Sequence, residues 1–243
     1  MKNLNKSFFR IINNFFDNRF GLRIQPSSNS RLYSSRNLVL KNFAINHVID
    51  VGANSGQYAK SLRNAGYKNY IYSFEPTYIY DELSKNAMND HLWQVYNYGI
   101  GDKSEKVIMQ IASNGSQSSS VLFPKDILQQ NFGISFKQSE LIEIKPLNEF
   151  ILTNELENTY LKIDTQGNEM SVLLGLGSAI DKISVIEFES AIIPLYEGES
   201  NHYQIADFLI SKEFTPIQIV ITHWDKDKQT VSLDSIFARK YKS

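Results

Sequence analysis

Residues 48 to 56 read Val-Ile-Asp-Val-Gly-Ala-Asn-Ser-Gly, an apolar run that takes in Asp50, stops at Val51 and enters a turn built on Gly52, Asn54 and Gly56. The stretch that follows, Gln57 to Ala65, reads as a helix. Strand, glycine-punctuated turn and helix in that order make the first β-α unit of a nucleotide-binding α/β domain. Glycine in such a turn lets the backbone approach a ligand closely. The plainer alternative is an ordinary tight turn in which Ser55 caps the helix.

The turn departs from the dinucleotide fingerprint at one position, because Asn54 stands where a second glycine would approach a pyrophosphate. Asp50 adds negative charge where phosphates would lie, yet suits a ligand carrying an amino group and a sulfonium, such as S-adenosylmethionine. The next apolar run, Asn69 to Phe74, ends in Glu75 and Pro76, and Glu75 follows Gly52 by 23 residues. From that place an acidic side chain holds a ribose diol. Pro76 ends the strand and is able to open the next helix. A third run, Trp93 to Tyr98, leads into Gly99-Ile100-Gly101-Asp102. There Ile100 can pack on an adenine and Asp102 can accept from its amino group, unless Asp102 serves only the turn.

These segments, together with Leu161-Lys162-Ile163-Asp164-Thr165-Gln166-Gly167, resemble the FkbM-type methyltransferases, a branch of the S-adenosylmethionine-dependent enzymes. Weaker echoes are Ser118 to Ser120, the strand end Ile186-Glu187-Phe188-Glu189, and Asp234-Ser235-Ile236-Phe237-Ala238-Arg239. The resemblance spans residues 45 to 240. It departs at Asn168, where the family often has an aromatic or apolar residue after Gln-Gly. The resemblance implies a Rossmann-like class I methyltransferase fold of the α/β class, with a mostly parallel seven-stranded sheet whose last strand is antiparallel at one edge. Asp50, Gly52, Asn54, Gly56, Glu75, Pro76, Ile100, Asp102 and Asp164 are the expected cofactor contacts. The implied reaction is methyl transfer to a hydroxyl of a sugar, glycan or related small metabolite.

Alternating patterns support that architecture. Strands are expected near 46–51, 70–75, 93–98, 159–164, 183–188, 215–221 and 232–239, and helices near 56–65, 77–88, 168–176 and 202–212. Only Thr222 to Thr230 separates the last two strands, too short for a helical crossover, so they should form an antiparallel hairpin. Ser113 to Ser139, rich in Ser, Gln and Asn and without a clear period, is expected to loop over the site.

The chain of 243 residues has a net charge of −1, with an uneven distribution. Residues 1 to 41 hold eight Lys or Arg against the single acid Asp17, so the rest carries −8. The chain therefore divides into a basic amphipathic extension, 1–41, and a methyltransferase domain, 42–243. Phe8, Ile12, Phe15, Phe16 and Phe20 fall near one helical face of that extension. Such a helix can pack on the domain or on a second copy in a homodimer. Residues 1–25 as an interfacial helix on anionic lipid, or as a targeting segment, are the sharper alternatives. Cysteine is absent, which excludes disulfides and a thiolate nucleophile and agrees with a cytoplasmic location. No apolar run is long enough to cross a bilayer. The acidic domain argues against a nucleic-acid substrate.

Methyl transfer from a sulfonium asks mainly for positioning and a free lone pair, while a hydroxyl acceptor also benefits from a base or a metal. Asp164 is the first candidate base, with Lys162 two positions earlier on the same strand face; a structural Lys-Asp pair is its alternative. His223, between the last two strands, is the rival, since imidazole titrates in the useful range. His47, His91 and His202 receive no role. Asp164, Glu187 and Glu189 together could hold a hard divalent cation such as magnesium, although no His or Cys spacing supports a metal. A nicotinamide-dependent reductase is the second enzyme reading, disfavoured by Asn54 and by the lack of a Tyr-x-x-x-Lys pair. A cofactor-binding module without turnover is the third.

Overall fold

The computed structural model describes residues 36–239. Strand β1 (His47–Val51) pairs in parallel with β2 (Tyr70–Phe74) on one side and with β7 (Thr159–Ile163) on the other. The sheet continues outward through β3 (Trp93–Tyr96) beyond β2, and through β8 (Ile183–Ala191) beyond β7. Strand β10 (Thr230–Arg239) then enters antiparallel between β8 and the edge strand β9 (Phe214–Trp224). The order is β3-β2-β1-β7-β8-β10-β9, the expected seven strands with the last antiparallel, set one strand inside the edge.

The inner strands are near-continuous apolar runs because both faces are covered. Ile49, Leu161, Ile186 and Phe188 are buried under one layer, with Val48, Tyr160, Val185 and Ile236 under the other. Helices α1 (Gln57–Asn64), α2 (Tyr80–Ala87), α5 (Glu169–Leu174) and α6 (His202–Ser211) match the four expected. Asn201 and Gln204 close α6 with a reciprocal capping box. His202 in its first turn is buried against Ser190, 2.9 Å away, a structural contact away from the site.

The segment expected as loops is more ordered than its composition suggests. A short β4 (Gly99–Ile100), β5 (Glu105–Ala112) and β6 (Phe136–Lys145) form a second sheet in the order β4-β6-β5. Helix α3 (Asp126–Phe132) lies between β5 and β6, and α4 (Leu147–Thr153) follows. Both long strands of this sheet have one wet face, leaving Ile108 and Leu141 exposed, so polar residues interrupt the apolar run that marks a core strand.

Residues 36–42 are helical, and Val39 and Leu40 are buried in the layer that holds Val48 and Ala59. The last turns of the basic extension are thus packed into the domain. The apolar face Phe8 to Phe20 lies outside the described residues. Among the described residues no helix is long and apolar enough to cross a membrane.

Candidate active site

The chain reverses its direction of winding between β1 and β7, and beyond the carboxyl ends of these strands lies a cavity of about 550 Å³. A crevice at such a switch point is where open α/β sheets bind ligands, and the volume suits a small molecule.

One end of the cavity is built by the glycine turn. Gly52 has φ +76°, and a Cβ there would stand 1.9 Å from the carbonyl oxygen of Asp164, so the turn and the end of β7 touch through bare backbone. Asn54 also takes a left-handed φ of +47°. Its side-chain oxygen accepts from Ser55 N at 2.8 Å and from Gln57 Nε2 at 3.0 Å, while its Nδ2 donates to Gly115 O at 3.1 Å. Asn54 organises the turn; Ser55 makes no cap, and α1 starts after Gly56 without a capping side chain. Gly56 faces Trp93 and not the cavity, serving close packing.

Glu75, Pro76 and Ile100 line the same end. Glu75 Oε2 accepts from Asn54 N at 2.8 Å, and Oε1 accepts from Thr77 N at 3.0 Å and Thr77 Oγ1 at 2.6 Å. Burial pushes this carboxyl up from its ordinary value, against the hydrogen bonds from Thr77 and Asn54. Oε2, with one protein donor, keeps a lone pair for a ligand hydroxyl. Glycine backbone, an acceptor at the end of β2 and an apolar wall at Ile100 fit the nucleoside part of S-adenosylmethionine. Asp102 stands outside this cavity wall: it is exposed, and its carboxylate accepts from Ser171 Oγ at 3.0 Å.

Beneath the wall runs a polar row. Asp50 is fully buried and does not line the cavity. Lys162 Nζ is 3.3 Å from Asp50 Oδ1 and 3.3 Å from Asp164 Oδ2, the carboxylate pairing expected for a lysine in an apolar strand. Burial opposes the Lys162 charge, but Asp164 and Asp50 outweigh it and hold the ammonium above the ordinary lysine range. Burial raises Asp50, with Lys162 opposing. Asp164 lines the cavity and also accepts from Gln166 Nε2 at 2.9 Å.

Glu187 is committed to structure. It receives Arg36 Nε at 2.8 Å, Tyr58 Oη at 2.9 Å and Tyr160 Oη at 2.5 Å, and pairs with the Arg36 guanidinium. Although burial pushes the other way, Arg36 and the tyrosines hold its carboxyl below the ordinary range. Asp164, Glu187 and Glu189 therefore do not meet around one ion, and among the described residues no group of three or more His, Cys, Asp or Glu is placed to hold a metal.

The opposite end of the cavity comes from the last strands. Glu189 and Asp234 face each other in register across β8 and β10. Burial pushes Asp234 up to about 8, with Glu189 adding to the effect. Ser232 Oγ donates to Glu189 Oε1 at 3.1 Å and lies 2.8 Å from His223 Nδ1. The Glu189 carboxylate, with Oε1 3.5 Å from Nδ1, raises His223 above the usual imidazole range. The roof includes Ser116, Ser118 and Ser119, and Ser120 Oγ donates to Gln166 O at 2.7 Å.

Asp164, His223, Gly52, Asn54, Glu75, Pro76 and Ile100 thus share one cavity; Asp50, Gly56 and Asp102 do not line it. Sequence reasoning missed Arg36, Tyr58 and Asp234 as parts of this wall. Asp234 was signalled by an acid within an apolar strand; nothing local marked Arg36.

The family model for the methyltransferase FkbM domain matches residues 50–216. No curated protein matches the chain in sequence. Among solved structures it is similar to magnesium protoporphyrin IX methyltransferase (ChlM) from Synechocystis PCC 6803 with bound SAM, at 12% identity and TM-score 0.48, covering 96% of this chain and 97% of that one. It is also similar to M. capricolum TrmK in complex with S-adenosyl-homocysteine, at 13% identity and TM-score 0.48, covering 83% and 67%. An rRNA methylase from Streptococcus thermophilus matches at 7% identity and TM-score 0.48, covering 89% and 98%. The strand order β3-β2-β1-β7-β8-β10-β9 by itself defines the fold.

Proposed function

The chain belongs to the FkbM-type family of S-adenosylmethionine-dependent methyltransferases, and on that premise we propose that it methylates a hydroxyl of a sugar, glycan or related small metabolite. The observation that carries this reading is the division of one cavity into two chemically distinct ends. Glu75, the Gly52 turn, Pro76 and Ile100 hold the cofactor. The far end, with Glu189, Asp234, His223 and Ser232, offers hydrogen-bond partners to a hydroxylated acceptor.

Charge supports a small acceptor over a nucleic acid. Lys162 and Arg36, the two Lys or Arg side chains on the wall among the described residues, are both paired with carboxylates, and the Glu189 carboxylate adds negative charge to the far end, an arrangement that disfavours a polyanion. When bound, S-adenosylmethionine supplies a methyl group on a sulfonium, which bonds to the acceptor oxygen as the sulfur leaves as a neutral thioether. Asp164, beside both ends of the cavity, orients the reacting groups; Asp50 acts only through Lys162.

Calorimetry with S-adenosylhomocysteine and with NAD tests the cofactor, the first alone being expected to bind. A screen of monosaccharides and nucleotide sugars with a methyl-labelled donor tests the acceptor. Labelling of amines or RNA with no labelled hydroxyl product would overturn the hydroxyl assignment.

A further inference from the structure

We infer that Glu189 and Ser232 fix His223 in the tautomer that leaves Nε2 free to take the proton of the acceptor hydroxyl. The inference rests on the methyltransferase reading above and assigns the base within it to the hairpin of the last two strands.

Hydrogen-bond bookkeeping carries the argument. A serine hydroxyl has one proton and two lone pairs. Ser232 Oγ gives that proton to Glu189 Oε1 at 3.1 Å. Its two remaining neighbours are Thr222 Oγ1 at 2.9 Å and His223 Nδ1 at 2.8 Å, and both must then donate to it. Nδ1 of the neutral ring therefore carries hydrogen, which leaves the lone pair on Nε2. The nearby Glu189 carboxylate, with Oε1 3.5 Å from Nδ1, favours the imidazolium formed once Nε2 accepts a proton. Phe132 meets the ring edge-on, with centroids 5.9 Å apart, and restricts its rotation.

The arrangement has the logic of a base whose far nitrogen is held by a polar partner, here with a serine between imidazole and carboxylate. Ser232 is buried and Glu189 is half-buried, whereas the His223 side chain is 56% exposed and lines the cavity. Asp164 already accepts from Gln166 and faces Lys162, which suits orientation of the hydroxyl better than removal of its proton. In the step as a whole the hydroxyl oxygen bonds to the methyl carbon, the carbon-sulfur bond pair stays with sulfur, and the hydroxyl proton goes to His223 Nε2. Ser232 and Glu189 are positioning residues.

The test is long-range proton-nitrogen correlation NMR of the full chain labelled with ¹⁵N-histidine, at about pH 8.5, where imidazole is neutral. His223→Gln assigns the signal. The expected wild-type spectrum shows hydrogen on Nδ1. Ser232→Ala should shift His223 toward hydrogen on Nε2, and Ser232→Thr, which keeps the hydroxyl, should preserve the wild-type pattern. Hydrogen on Nε2 in the wild type, or an Ala variant identical to it, overturns the inference. With a sugar that scores in the acceptor screen, His223→Gln should lower kcat about a hundredfold or more, with affinity for S-adenosylhomocysteine unchanged. An unchanged kcat overturns the role as base. Failure of S-adenosylhomocysteine to bind the wild type would sink the methyltransferase reading and leave the NMR result standing.

Discussion

Asp50 and Lys162 sit directly opposite each other on β1 and β7, and the lysine ammonium reaches Asp50 Oδ1 at 3.3 Å while keeping Asp164 within the same distance on its other side. One cation thus ties a buried carboxylate to one on the cavity wall. Replacing Lys162 with Met should destabilise the fold by about 3–5 kcal/mol, because Asp50 is left buried without its cation, with only the Ser73 hydroxyl to hold it, and must stay charged or protonate. Urea unfolding measures the change. Adding Asp50→Asn to Lys162→Met should recover part of the loss, and a double variant no better than the single one would argue against the pairing.

Gly52→Ala should lose both stability and cofactor binding. The left-handed backbone alone disfavours alanine by about 1 kcal/mol, and the new methyl would collide with the Asp164 carbonyl. Gly66 has a comparable positive φ but open space around it, so Gly66→Ala separates strain from collision. Calorimetric binding of S-adenosylhomocysteine should fail for Gly52→Ala and persist for Gly66→Ala.

Glu75→Gln should weaken S-adenosylhomocysteine by about ten- to a hundredfold, the effect of losing one or two hydrogen bonds to a charged acceptor. The amide also turns an NH₂ toward Asn54 N or toward the Thr77 donors, so the glycine turn should loosen. An equal affinity for the variant would remove Glu75 from the ribose site.

Glu169 gives the stability a defined pH dependence. Its Oε1 accepts from Thr165 N at 3.0 Å, Thr165 Oγ1 at 3.0 Å and Gly167 N at 3.1 Å, pinning the loop beside Asp164. Burial pushes its carboxyl from 4.5 up to about 8. The folded chain therefore holds a proton that the unfolded chain has released, and the resulting stability is complete below pH 4.5 and lost as the pH rises through 8. Tm should fall as the pH rises from 5 to 8, and Glu169→Gln should remove part of that fall, the rest belonging to Asp234, which burial raises in the same way.

Much of the parallel sheet was readable because its strands are buried on both faces and advertise themselves as apolar runs. The Gly52 turn, Glu75 and Ile100 were readable for another reason: each sits just after such a run, where the sheet delivers side chains to a common edge. Asp102 failed that logic, since Ser171 on a neighbouring helix offered its carboxylate a partner away from the cavity. Arg36 could not be found from spacing. It meets Glu187 across 151 residues of sequence, and the contact exists only because residues 36–42 fold back on β8. Strands β5 and β6 stayed hidden because pairing on one wet face needs no continuous apolar run.

Strand β10 gives the fold an order in time. It lies between β8 and β9 but is synthesised after both, so these two strands wait without their shared neighbour until residues 230–239 emerge. Its pairing with β9 closes as a local hairpin, while its pairing with β8 spans a longer stretch of sequence and forms more slowly. Ser232 and Asp234 ride on this strand. The Gly52 turn is complete once β7 brings Asp164 against it, whereas Ser232 and Asp234 reach the cavity only with the last strand, so the far end of the cavity is the last part of its wall to be synthesised.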